Sequence, residues 1–468
     1  MRLLRRGLPY GSLILIACQG AAPAAPVDDL PRVTGQLAPQ AAVVGTPFDL
    51  DIRSSFTAVK PGGLSYSASF TPAGTTCLSL QNGHLVGTPD APGLITTRIV
   101  AMDAGGDTVS QSVSVVVLAA GLPSPVLPEA LLGYSDARAP IPQHYLLANA
   151  PGGSALVLSN MPATNPTTDA GATLGRVLFY DTRLSANDRI ACASCHVRQW
   201  GFSDTAQFST GFLGGKTGRH ASALANARFY LRGRFFWDER AATLEDQTLQ
   251  PIQNPVEMGL TLDQLVLKLQ VTSYYAPLFQ AAFGTGEVTS ERVSRALAQY
   301  VRSIVSYGSR FDAAFPPGAQ APNLALLTPD EVQGLNLFNG LGRCAQCHAT
   351  NAHVSDDVHN TGLDATVTDV GAGNGRFKAP SLRNVALRGR FMHDGRFTAL
   401  AEVVDFYSSG VQANPFLDNR LRAPGGVPLR LGLTTAQRDA IVAYLQTLTD
   451  PALLSDPRFA DPFPHPAH

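Results

Sequence analysis

Two short motifs in this chain combine cysteine and histidine at the same spacing. The segments ACASCH at 191–196 and RCAQCH at 343–348 each hold two cysteines three positions apart, followed at once by a histidine. The whole chain has only six cysteines, so most of them belong to this repeat. The spacing fits a disulfide, a zinc site or a covalently attached haem, and each alternative implies a different protein.

Haem attachment explains the repeated motif best. A structural zinc site needs four ligands at close spacing, whereas these two pairs lie in distant parts of the chain. A thioredoxin-like redox pair needs no trailing histidine. Covalent haem requires all three residues, because the two thiols add to the haem vinyl groups and the histidine binds the iron. The sequence therefore predicts two c-type haems, the first held by Cys192, Cys195 and His196 and the second by Cys344, Cys347 and His348.

The composition is that of a globular protein with few charges. The 468 residues suffice for about two to four domains. Hydrophobic residues make up 45% of the chain and charged residues 15%, which excludes a disordered protein. A formal net charge of −1 gives no reason to expect nucleic acid or an acidic membrane surface as a partner. No run of about 20 apolar residues occurs, so no transmembrane helix is expected.

The first 18 residues have the features of an export signal. Three arginines within the first six residues precede a short apolar run at 13–17, and Cys18 follows. The segment resembles a bacterial lipoprotein signal, in which the chain is cut before Cys18 and that thiol is lipidated. An ordinary signal peptide with a chance cysteine is the alternative. Gln19 and Gly20 come next, and by the same resemblance they favour a lipid-anchored protein of the outer membrane, on the periplasmic face of the cell envelope.

Residues 30–118 show the alternation of β-strands. Four valines of the segment TVSQSVSVVVL share one face at period two, namely Val109, Val113, Val115 and Val117. The AGGD segment before this strand is a hairpin turn signal, and GHLVGTPDAPG resembles the Ig-like domains of bacterial surface proteins. We expect a small β-sandwich that serves as a spacer or adhesive module, with Cys77 as a buried lone thiol.

The middle of the chain changes from irregular to helical. Residues 119–170 are rich in proline, alanine and asparagine and lack periodicity, which predicts a linker or an extended arm lying on the next domain. Beyond this segment apolar residues recur at helical spacing, as in the helices predicted within 289–306 and 434–449. Capping signals open two further helices, at Thr261 and at Thr328.

Each Cys-x-x-Cys-His motif lies in a helical unit of its own. We expect an N-terminal haem domain at 171–325, a C-terminal haem domain at 326–450 and a C-terminal tail at 451–468. The predicted fold class is multidomain: a small all-β Ig-like sandwich followed by two mainly α-helical cytochrome c-type haem domains.

Residues 171–450 resemble the bacterial di-haem cytochrome c peroxidases, including the MauG branch, over nearly the whole of that region. The matching stretches are LGRVLFYDTRLSANDRIACASCH, GRFFWDERAATLEDQTLQPIQNPVEMG, GLNLFNGLGRCAQCH and FKAPSLRNVALRGRFMHDGRFTALAEVVDFYSSG. The resemblance implies that the first haem is the peroxidatic one and that electrons enter at the second.

The resemblance also implies three catalytic residues. Glu257 falls at the distal carboxylate of the family, where a carboxyl of raised pKa can move a proton between the two peroxide oxygens. Gln247 maps onto a distal amide that hydrogen-bonds peroxide. Trp237 maps onto the tryptophan between the two haems, where it would carry electrons. From the residues alone, the alternatives are a solvated helix end for Glu257 and a core role for Trp237.

Two positions depart from the classical family pattern. Many members close the first haem with a loop histidine, but residues 197–219 contain none and Phe212 falls near its place, so this haem is expected to be open. At the second haem Tyr407 takes the place of the classical methionine ligand, as in the MauG branch. A phenolate ligand favours ferric iron and lowers the reduction potential. Met392, beside His393, is the rival ligand.

Further residues are expected near the second haem. Lys378 and Arg383 are candidates for pairing the haem propionates, with solvated surface roles as the alternative, and His393 matches a family histidine. His220 falls where the family often has an asparagine that binds calcium between the haem domains, so a calcium ion there would rely on backbone oxygens and water. The remaining histidines singled out are expected on the surface: His84, His465 and His468.

The sequence thus predicts a peroxidase that reduces hydrogen peroxide to water with electrons from a small cytochrome c or copper protein. A MauG-like enzyme that oxidises side chains of a partner protein is one alternative, favoured by Tyr407 and the open first haem. A non-enzymatic surface electron-transfer protein is another, disfavoured by Glu257 and Gln247. The membrane is expected as a partner only through the lipid anchor, and a homodimer is one candidate for the oligomeric state.

Overall fold

The computed structural model describes residues 29–148, 153–354 and 357–464. The strands are β1 Arg32–Val33, β2 Gln40–Val43, β3 Phe48–Asp51, β4 Phe56–Thr57, β5 Leu64–Thr71, β6 Leu78–Gln81, β7 His84–Gly87, β8 Gly93–Asp103, β9 Thr108–Leu118, β10 Val358–His359 and β11 Phe377–Lys378. The α-helices are α1 Asp169–Tyr180, α2 Cys192–Cys195, α3 Leu244–Gln253, α4 Leu262–Gln270, α5 Tyr275–Phe283, α6 Ser290–Ser303, α7 Arg310–Ala313, α8 Pro329–Asn339, α9 Leu400–Asp405, α10 Thr435–Gln446 and α11 Pro451–Ser455.

Strands β1 to β9 form the predicted Ig-like sandwich. One sheet has the order β2-β9-β8-β5 and the other has the order β3-β7-β6, while β1 and β4 form a short separate pair. Strand β8 pairs antiparallel with β9, and β2 adds to β9 in parallel. Because alternate residues of a strand face opposite sides, the four valines predicted on one face of β9 all pack in the core between the sheets. Cys77 is a free thiol at this core, but it is half-buried rather than fully buried.

In its described residues, 119–148 and 153–168, the chain between the sandwich and the first long helix is an arm packed on the helical part, not a free linker. It contains 3₁₀ turns at Gln143–Leu146 and Ala155–Leu158. The buried Tyr134 donates from its hydroxyl to the Arg458 carbonyl at 2.8 Å. The Asn351 amide side chain donates to the His144 carbonyl at 2.8 Å. The arm therefore contacts both helical units.

Each helical unit is built on one pair of closely crossing helices. Helix α1 crosses α6 in the first unit, and α8 crosses α10 in the second. A glycine permits each close approach: a Cβ at Gly175 would lie 2.0 Å from the Ala296 carbonyl oxygen, and a Cβ at Gly334 would lie 1.9 Å from that of Ala440. In both units a Cys-x-x-Cys-His motif follows the first helix of the pair, so the two units are structural repeats.

The predicted helix starts are observed. Thr261 and Gln264 form a reciprocal capping box at the start of α4, and Thr328 and Glu331 form one at the start of α8. In each box the threonine hydroxyl accepts a hydrogen bond from the third helical amide, and the side chain three residues on accepts one from the threonine amide. These caps fix where the helices begin and hence where the loops between them can lie.

The last described residues pack on the first helical unit. Leu453, Phe459 and Phe463 belong to its hydrophobic core, and the Arg176 guanidinium donates to the Pro457 carbonyl at 2.6 Å. The segment predicted as a tail therefore closes the first unit as far as residue 464. Among the helices of the described ranges, none has both the length and the apolar character needed to cross a bilayer.

Candidate functional site

The first Cys-x-x-Cys-His motif faces a cavity in the first helical unit, called here the first cavity. Its empty volume is about 650 Å³, within the range of small-molecule and cofactor sites. The wall includes all five residues predicted for it: Cys192, Cys195, His196, Gln247 and Glu257. The fold therefore brings the attachment residues, the histidine ligand and the predicted distal pair around one space.

Both proposed iron-binding histidines are oriented by a backbone carbonyl. His196 Nδ1 lies 3.1 Å from the Phe202 carbonyl oxygen, and His348 Nδ1 lies 3.4 Å from that of His353. A proton held on Nδ1 by a carbonyl leaves the lone pair on Nε2 for a metal, as is usual for ligating histidines. Burial lowers the pKa of both rings, that of His348 to about 4. Each imidazole is therefore neutral at pH 7 and able to bind iron.

Glu257 lies on a tight turn after α3. The Asn254 side chain organises this turn, because its Nδ2 donates to Glu257 Oε1 at 2.9 Å and its Oδ1 accepts from the Val256 amide at 2.8 Å. Burial raises the pKa of Glu257, since the anion loses its solvation. Gln247, on α3, adds an amide to the same cavity. This pair can hold a small polar molecule and exchange a proton with it.

The loop at 197–219 reaches the first cavity without a histidine. The Phe212 amide donates to the Glu257 carbonyl at 3.0 Å. Its ring packs on Gly259, where a Cβ would lie 2.4 Å from a ring carbon and where φ is +73°. Only glycine fits this position without strain. The loop is thus fixed beside Glu257, and the side chain near the expected ligand position is a phenyl ring, which cannot bind iron.

The second motif faces a larger cavity, called here the second cavity. Its empty volume is about 1680 Å³, part of it open to solvent. Its wall includes the attachment residues Cys344 and Cys347 and the histidine ligand His348. Most of the other residues predicted near the second haem also line it: Trp237, His220, Lys378, Met392, His393 and Tyr407.

Both candidate sixth ligands lie in the wall of the second cavity. Tyr407 is on the π-helical turn Phe406–Gly410 that follows α9, and such turns are frequent at functional sites. Burial raises the pKa of its phenol. Met392 packs in the same small cluster and has a left-handed backbone, with φ of +71°. The geometry brings both side chains to the cavity, and the preference for Tyr407 stays a prediction.

A short chain of contacts joins the two cavities at Trp237. The indole Nε1 donates to the His220 carbonyl at 2.7 Å. The His220 ring Nε2 lies 3.1 Å from Ser203 Oγ. Ser203 directly follows Phe202, whose carbonyl orients His196. Trp237 therefore lies between the wall of the second cavity and the histidine side of the first.

The two predicted basic residues have different environments. Lys378 lines the second cavity, its ammonium lies 4.1 Å from the centre of the Tyr230 ring, and burial lowers its pKa to about 7. Arg383 is outside the cavity wall, because its guanidinium pairs with the buried Asp312 at 2.6 Å. The expected contact of Arg383 with a haem propionate is therefore not supported.

Arg388 is a residue that the sequence reasoning missed. It lines the second cavity and donates from Nη2 to the Ser381 carbonyl at 2.6 Å. Its buried Nε has no hydrogen-bond partner within the described part of the chain. An orphaned cationic donor indicates that an anionic group belongs in the cavity, and a haem propionate is such a group. In the sequence, this residue could have been noticed as a further basic residue in the stretch LRNVALRGR, five positions after Arg383.

The geometry distinguishes the three interpretations of the Cys-x-x-Cys-His motif: a disulfide, a zinc site and a covalently attached haem. All five described cysteines are free thiols, and the two pairs line separate cavities. In the described ranges no group of three His, Cys, Asp or Glu side chains is arranged to hold a metal ion. Each cavity instead offers the two thiols of a motif, the neutral imidazole that follows them and largely apolar walls. These residues fit a covalently attached haem in each unit.

Of the other residues singled out from the sequence, His220 and His84 lie within the described part of the chain and bind other groups of the protein. Both ring nitrogens of His220 are used within the protein, by Ser203 Oγ and by the Ala206 carbonyl at 3.1 Å each. Calcium takes oxygen ligands, so the His220 ring supplies none, and an ion held by backbone oxygens and water stays a prediction. His84 lies on β7 with its Nδ1 2.8 Å from an Asp49 carboxylate oxygen. The other predicted positions lie outside the described residues: Cys18, His465 and His468.

Comparison with known proteins agrees with this geometry. The family model for di-haem cytochrome c peroxidases matches residues 169–318, and an Ig domain model matches residues 31–118. The chain is 33% identical to the methylamine utilization protein MauG of Methylorubrum extorquens, over 64% of this chain and 83% of that protein. It is 31% identical to cytochrome c551 peroxidase of Nitrosomonas europaea, over 61% of this chain and 82% of that protein.

Solved structures show the same architecture. A MauG-like protein associated with microbial copper homeostasis superposes with a TM-score of 0.56 at 32% identity, covering 65% of this chain and 96% of its own. The di-haem peroxidase BthA of Burkholderia thailandensis shares the fold, with a TM-score of 0.51 at 24% identity over 64% of this chain and 92% of its own. The chain therefore belongs to the di-haem cytochrome c peroxidase family, which includes MauG and carries two c-type haems, and it places an Ig-like sandwich before the haem units.

Proposed function

We propose that this protein is an exported di-haem peroxidase. It converts one hydrogen peroxide, two electrons and two protons into two molecules of water. A small cytochrome c or copper protein supplies the electrons one at a time at the second haem, from which they pass to the first. The haem iron supplies an open coordination position and one-electron redox chemistry when the haem is bound.

The observation that carries the proposal is the shared wall of the first cavity. The carboxyl of Glu257 and the amide of Gln247 face the same space as Cys192 and His196. With its raised pKa, Glu257 can accept the proton of one peroxide oxygen and deliver it to the other, which leaves as water. Gln247 can hold the peroxide by a hydrogen bond. A pure electron carrier needs neither group, so the non-enzymatic alternative explains this wall less well.

The position of Trp237 supports a path for electrons between the two haems. The indole borders the second cavity and is hydrogen-bonded to the segment that also contacts the histidine side of the first. An aromatic ring between the two cavities can accept a single electron from one haem and pass it to the other. The open side of the second cavity is where a small donor protein could approach.

One observation favours a second candidate function. Tyr407 lies in the wall of the second cavity, and a phenolate bound to that iron would lower its reduction potential and favour oxidised states. Such a site suits the withdrawal of electrons from a partner protein. We therefore retain MauG-like oxidation of partner side chains as the alternative activity.

We also propose that the protein acts on the periplasmic face of the cell envelope. Covalent haem attachment takes place outside the cytoplasmic membrane, which agrees with the export signal in the first 18 residues. A lipid on Cys18 would hold the chain at the outer membrane. A homodimer is part of the same proposal and is tested by the mass of the purified protein in solution.

Stopped-flow turnover of the purified holoprotein tests the proposed activity. With a reduced small cytochrome as donor, a peroxidase oxidises two cytochromes for each peroxide consumed. Oxidation of the cytochrome that is independent of peroxide would instead identify an electron conduit. Peroxide consumption that oxidises an added partner protein but not the cytochrome would identify the MauG-like activity.

A further inference from the structure

A fully buried ion pair lies beside the first cavity, outside the residues assigned above. Lys268, on α4, places its ammonium 2.6 Å from Asp188 Oδ1, and the two side chains are 0% and 1% exposed. The same ammonium donates to the Ser185 carbonyl at 2.6 Å. Burial lowers the pKa of Lys268, so this cation depends on its partners. Asp188 itself has a left-handed backbone with φ of +60°, a conformation that few residues other than glycine, asparagine and aspartate adopt.

The second carboxylate oxygen of Asp188 binds the Ig-like sandwich. Asp188 Oδ2 accepts the backbone amide of Ala119 at 2.7 Å. Ala119 is the first residue after β9, the long strand that ends at Leu118. Strands β9 and β2 also pack beside α4. The sandwich is thus attached to the first helical unit through the same buried carboxylate that neutralises Lys268.

The loop 185–190 carries these contacts to the first cavity. The Ala186 amide donates to the Met258 carbonyl at 2.8 Å, next to Glu257. The Asn187 side chain donates to the Phe212 carbonyl at 2.7 Å, and the Phe212 amide in turn donates to the Glu257 carbonyl. The loop therefore holds Met258, which follows Glu257 in the chain, and Phe212, which is hydrogen-bonded to Glu257.

The same loop leads directly to the haem attachment site. Ser185 Oγ accepts the amides of Arg189 and Ile190 at 3.1 and 3.0 Å, which fixes the two residues before Ala191 and Cys192. A displacement of this loop would move the attachment turn and the distal carboxyl together. Displacements of about 1 Å at a reacting group can lower rates by up to 10²-fold.

We propose that the Ig-like sandwich is a fixed brace of the peroxidatic site, and that Asp188 and Lys268 are positioning residues which transmit its docking to Glu257. This inference rests on the proposed peroxidase function only for its kinetic consequences. Its structural consequences concern the first haem and the loop 185–190, and they hold whatever the substrate is. The sandwich is accordingly a part of the enzyme rather than a detachable spacer.

Removal of a single backbone N–H group, in the full-length holoprotein, tests whether the sandwich acts as a brace. Ala119→Pro removes the amide that Asp188 accepts and leaves every side chain of the ion pair in place. Ala120→Pro is the matched control, because Ala120 is exposed and, within the described ranges, its amide makes no backbone hydrogen bond to the first unit. Lys268→Met removes the cation, and Asp107→Asn, at the far end of the β8–β9 hairpin, controls for a general weakening of the sandwich.

The expected result is a change confined to the first site. Ala119→Pro and Lys268→Met should lower kcat for peroxide about ten-fold, alter the electron paramagnetic resonance (EPR) signal of the first ferric haem, and speed hydrogen exchange at the amides of Ala186 and Phe212. The signal of the second haem and the KM for the donor should stay unchanged, and both controls should match the wild type. If Lys268→Met does not fold, the result for Ala119→Pro alone tests the proposal.

EPR signals and exchange rates in Ala119→Pro equal to those of the wild type would overturn the proposal that the sandwich is a brace. Equal effects of the substitution at both haems would also overturn it. A wild-type protein without peroxide turnover would instead refute the proposed function. In that case the EPR and exchange measurements still show whether the sandwich acts as a brace.

Discussion

The indole of Trp237 donates a hydrogen bond to the backbone carbonyl of His220 at 2.7 Å. The His220 amide donates to the His393 carbonyl at 2.8 Å, so one peptide segment of the first unit is bonded both to the bridging tryptophan and to the second unit. A main-chain partner fixes the plane of the indole whatever side chain stands at residue 220. The relative placement of the two cavities and of the ring between them is thereby set by backbone contacts.

Replacing Trp237 should slow electron transfer between the haems. Trp237→Phe keeps an aromatic ring but removes the indole N–H, at a cost of about 1 kcal/mol for the lost hydrogen bond. Rapid mixing of reduced donor with the peroxide-treated protein should show a several-fold slower re-reduction of the first haem. Trp200, the other tryptophan, is 42% exposed, and Trp200→Phe should leave the rate unchanged. Equal rates in both variants would remove Trp237 from the path.

Glu257→Gln should retain both haems but lose peroxide turnover by about 10²-fold or more, as expected when a positioned acid–base group is removed. Steady-state turnover with a fixed donor concentration measures the effect, and pyridine haemochrome spectra verify the haem content. Turnover equal to the wild type would exclude Glu257 from the proton transfer.

The same variant should change the pH dependence of stability. The folded-state pKa of Glu257 is raised above its ordinary value of 4.5 by burial, so the native protein binds more protons than the unfolded chain once the pH exceeds that value. Stability is therefore lost as pH rises through this window, and Glu257→Gln should be more stable than the wild type at pH 7 but not at pH 4. Urea unfolding at the two pH values tests this.

Glu245 on α3 is the matched control for that measurement. Burial also acts on this carboxyl, but the hydrogen bonds and charge of Arg302 outweigh it and lower the pKa of Glu245. The sign is reversed, so the stability it contributes is present at neutral pH and lost as the pH falls. Glu245→Gln should accordingly destabilise the protein at pH 7. Identical responses of the two variants would show that burial does not govern the carboxyl of Glu257.

The first haem should be open in the fully oxidised protein. No histidine occurs in 197–219, and the Phe212 amide and ring are held against Glu257 and Gly259. The ferric protein should show one high-spin haem by EPR and should react with peroxide without prior reduction. A wholly low-spin spectrum together with a strict need for one equivalent of reductant would falsify this expectation.

Tyr407 should be the sixth ligand of the second haem. Tyr407→Phe should abolish the corresponding low-spin EPR signal and raise the reduction potential of that haem, because a hard anionic donor is lost. Met392→Leu keeps the apolar volume and should leave the signal intact. The opposite pattern would assign the iron to Met392.

Cys18→Ser should release the mature protein from membranes into the soluble periplasmic fraction. The lipid would be attached to the Cys18 thiol, so serine removes the anchor without changing the haem units. Immunoblots of membrane and periplasmic fractions measure the distribution, and Cys77→Ser, in the sandwich, serves as the control. Continued membrane association of Cys18→Ser would refute the lipoprotein interpretation.

The sequence by itself determined the local features of this protein. The Cys-x-x-Cys-His repeats, the capping boxes at Thr261 and Thr328 and the valine alternation on β9 depend only on neighbouring residues. Their spacing along the chain is therefore enough to specify attachment chemistry, helix starts and the strand face. The resemblance carried by longer stretches added Glu257, Gln247, Trp237 and Tyr407, and all four line the cavities for which they were predicted.

Only the tertiary structure decided which distant groups meet. Arg383 pairs with Asp312, far away in sequence, and lies outside the wall of the second cavity. Arg388 lines that cavity, and its Nε has no hydrogen-bond partner among the described residues. The arm, the last helix and the sandwich proved to be packed on the first unit through contacts such as Ala119 with Asp188. Such pairings depend on how separate elements pack in three dimensions. No periodicity within a single segment encodes them, because both partners obey their own local patterns whether or not they touch.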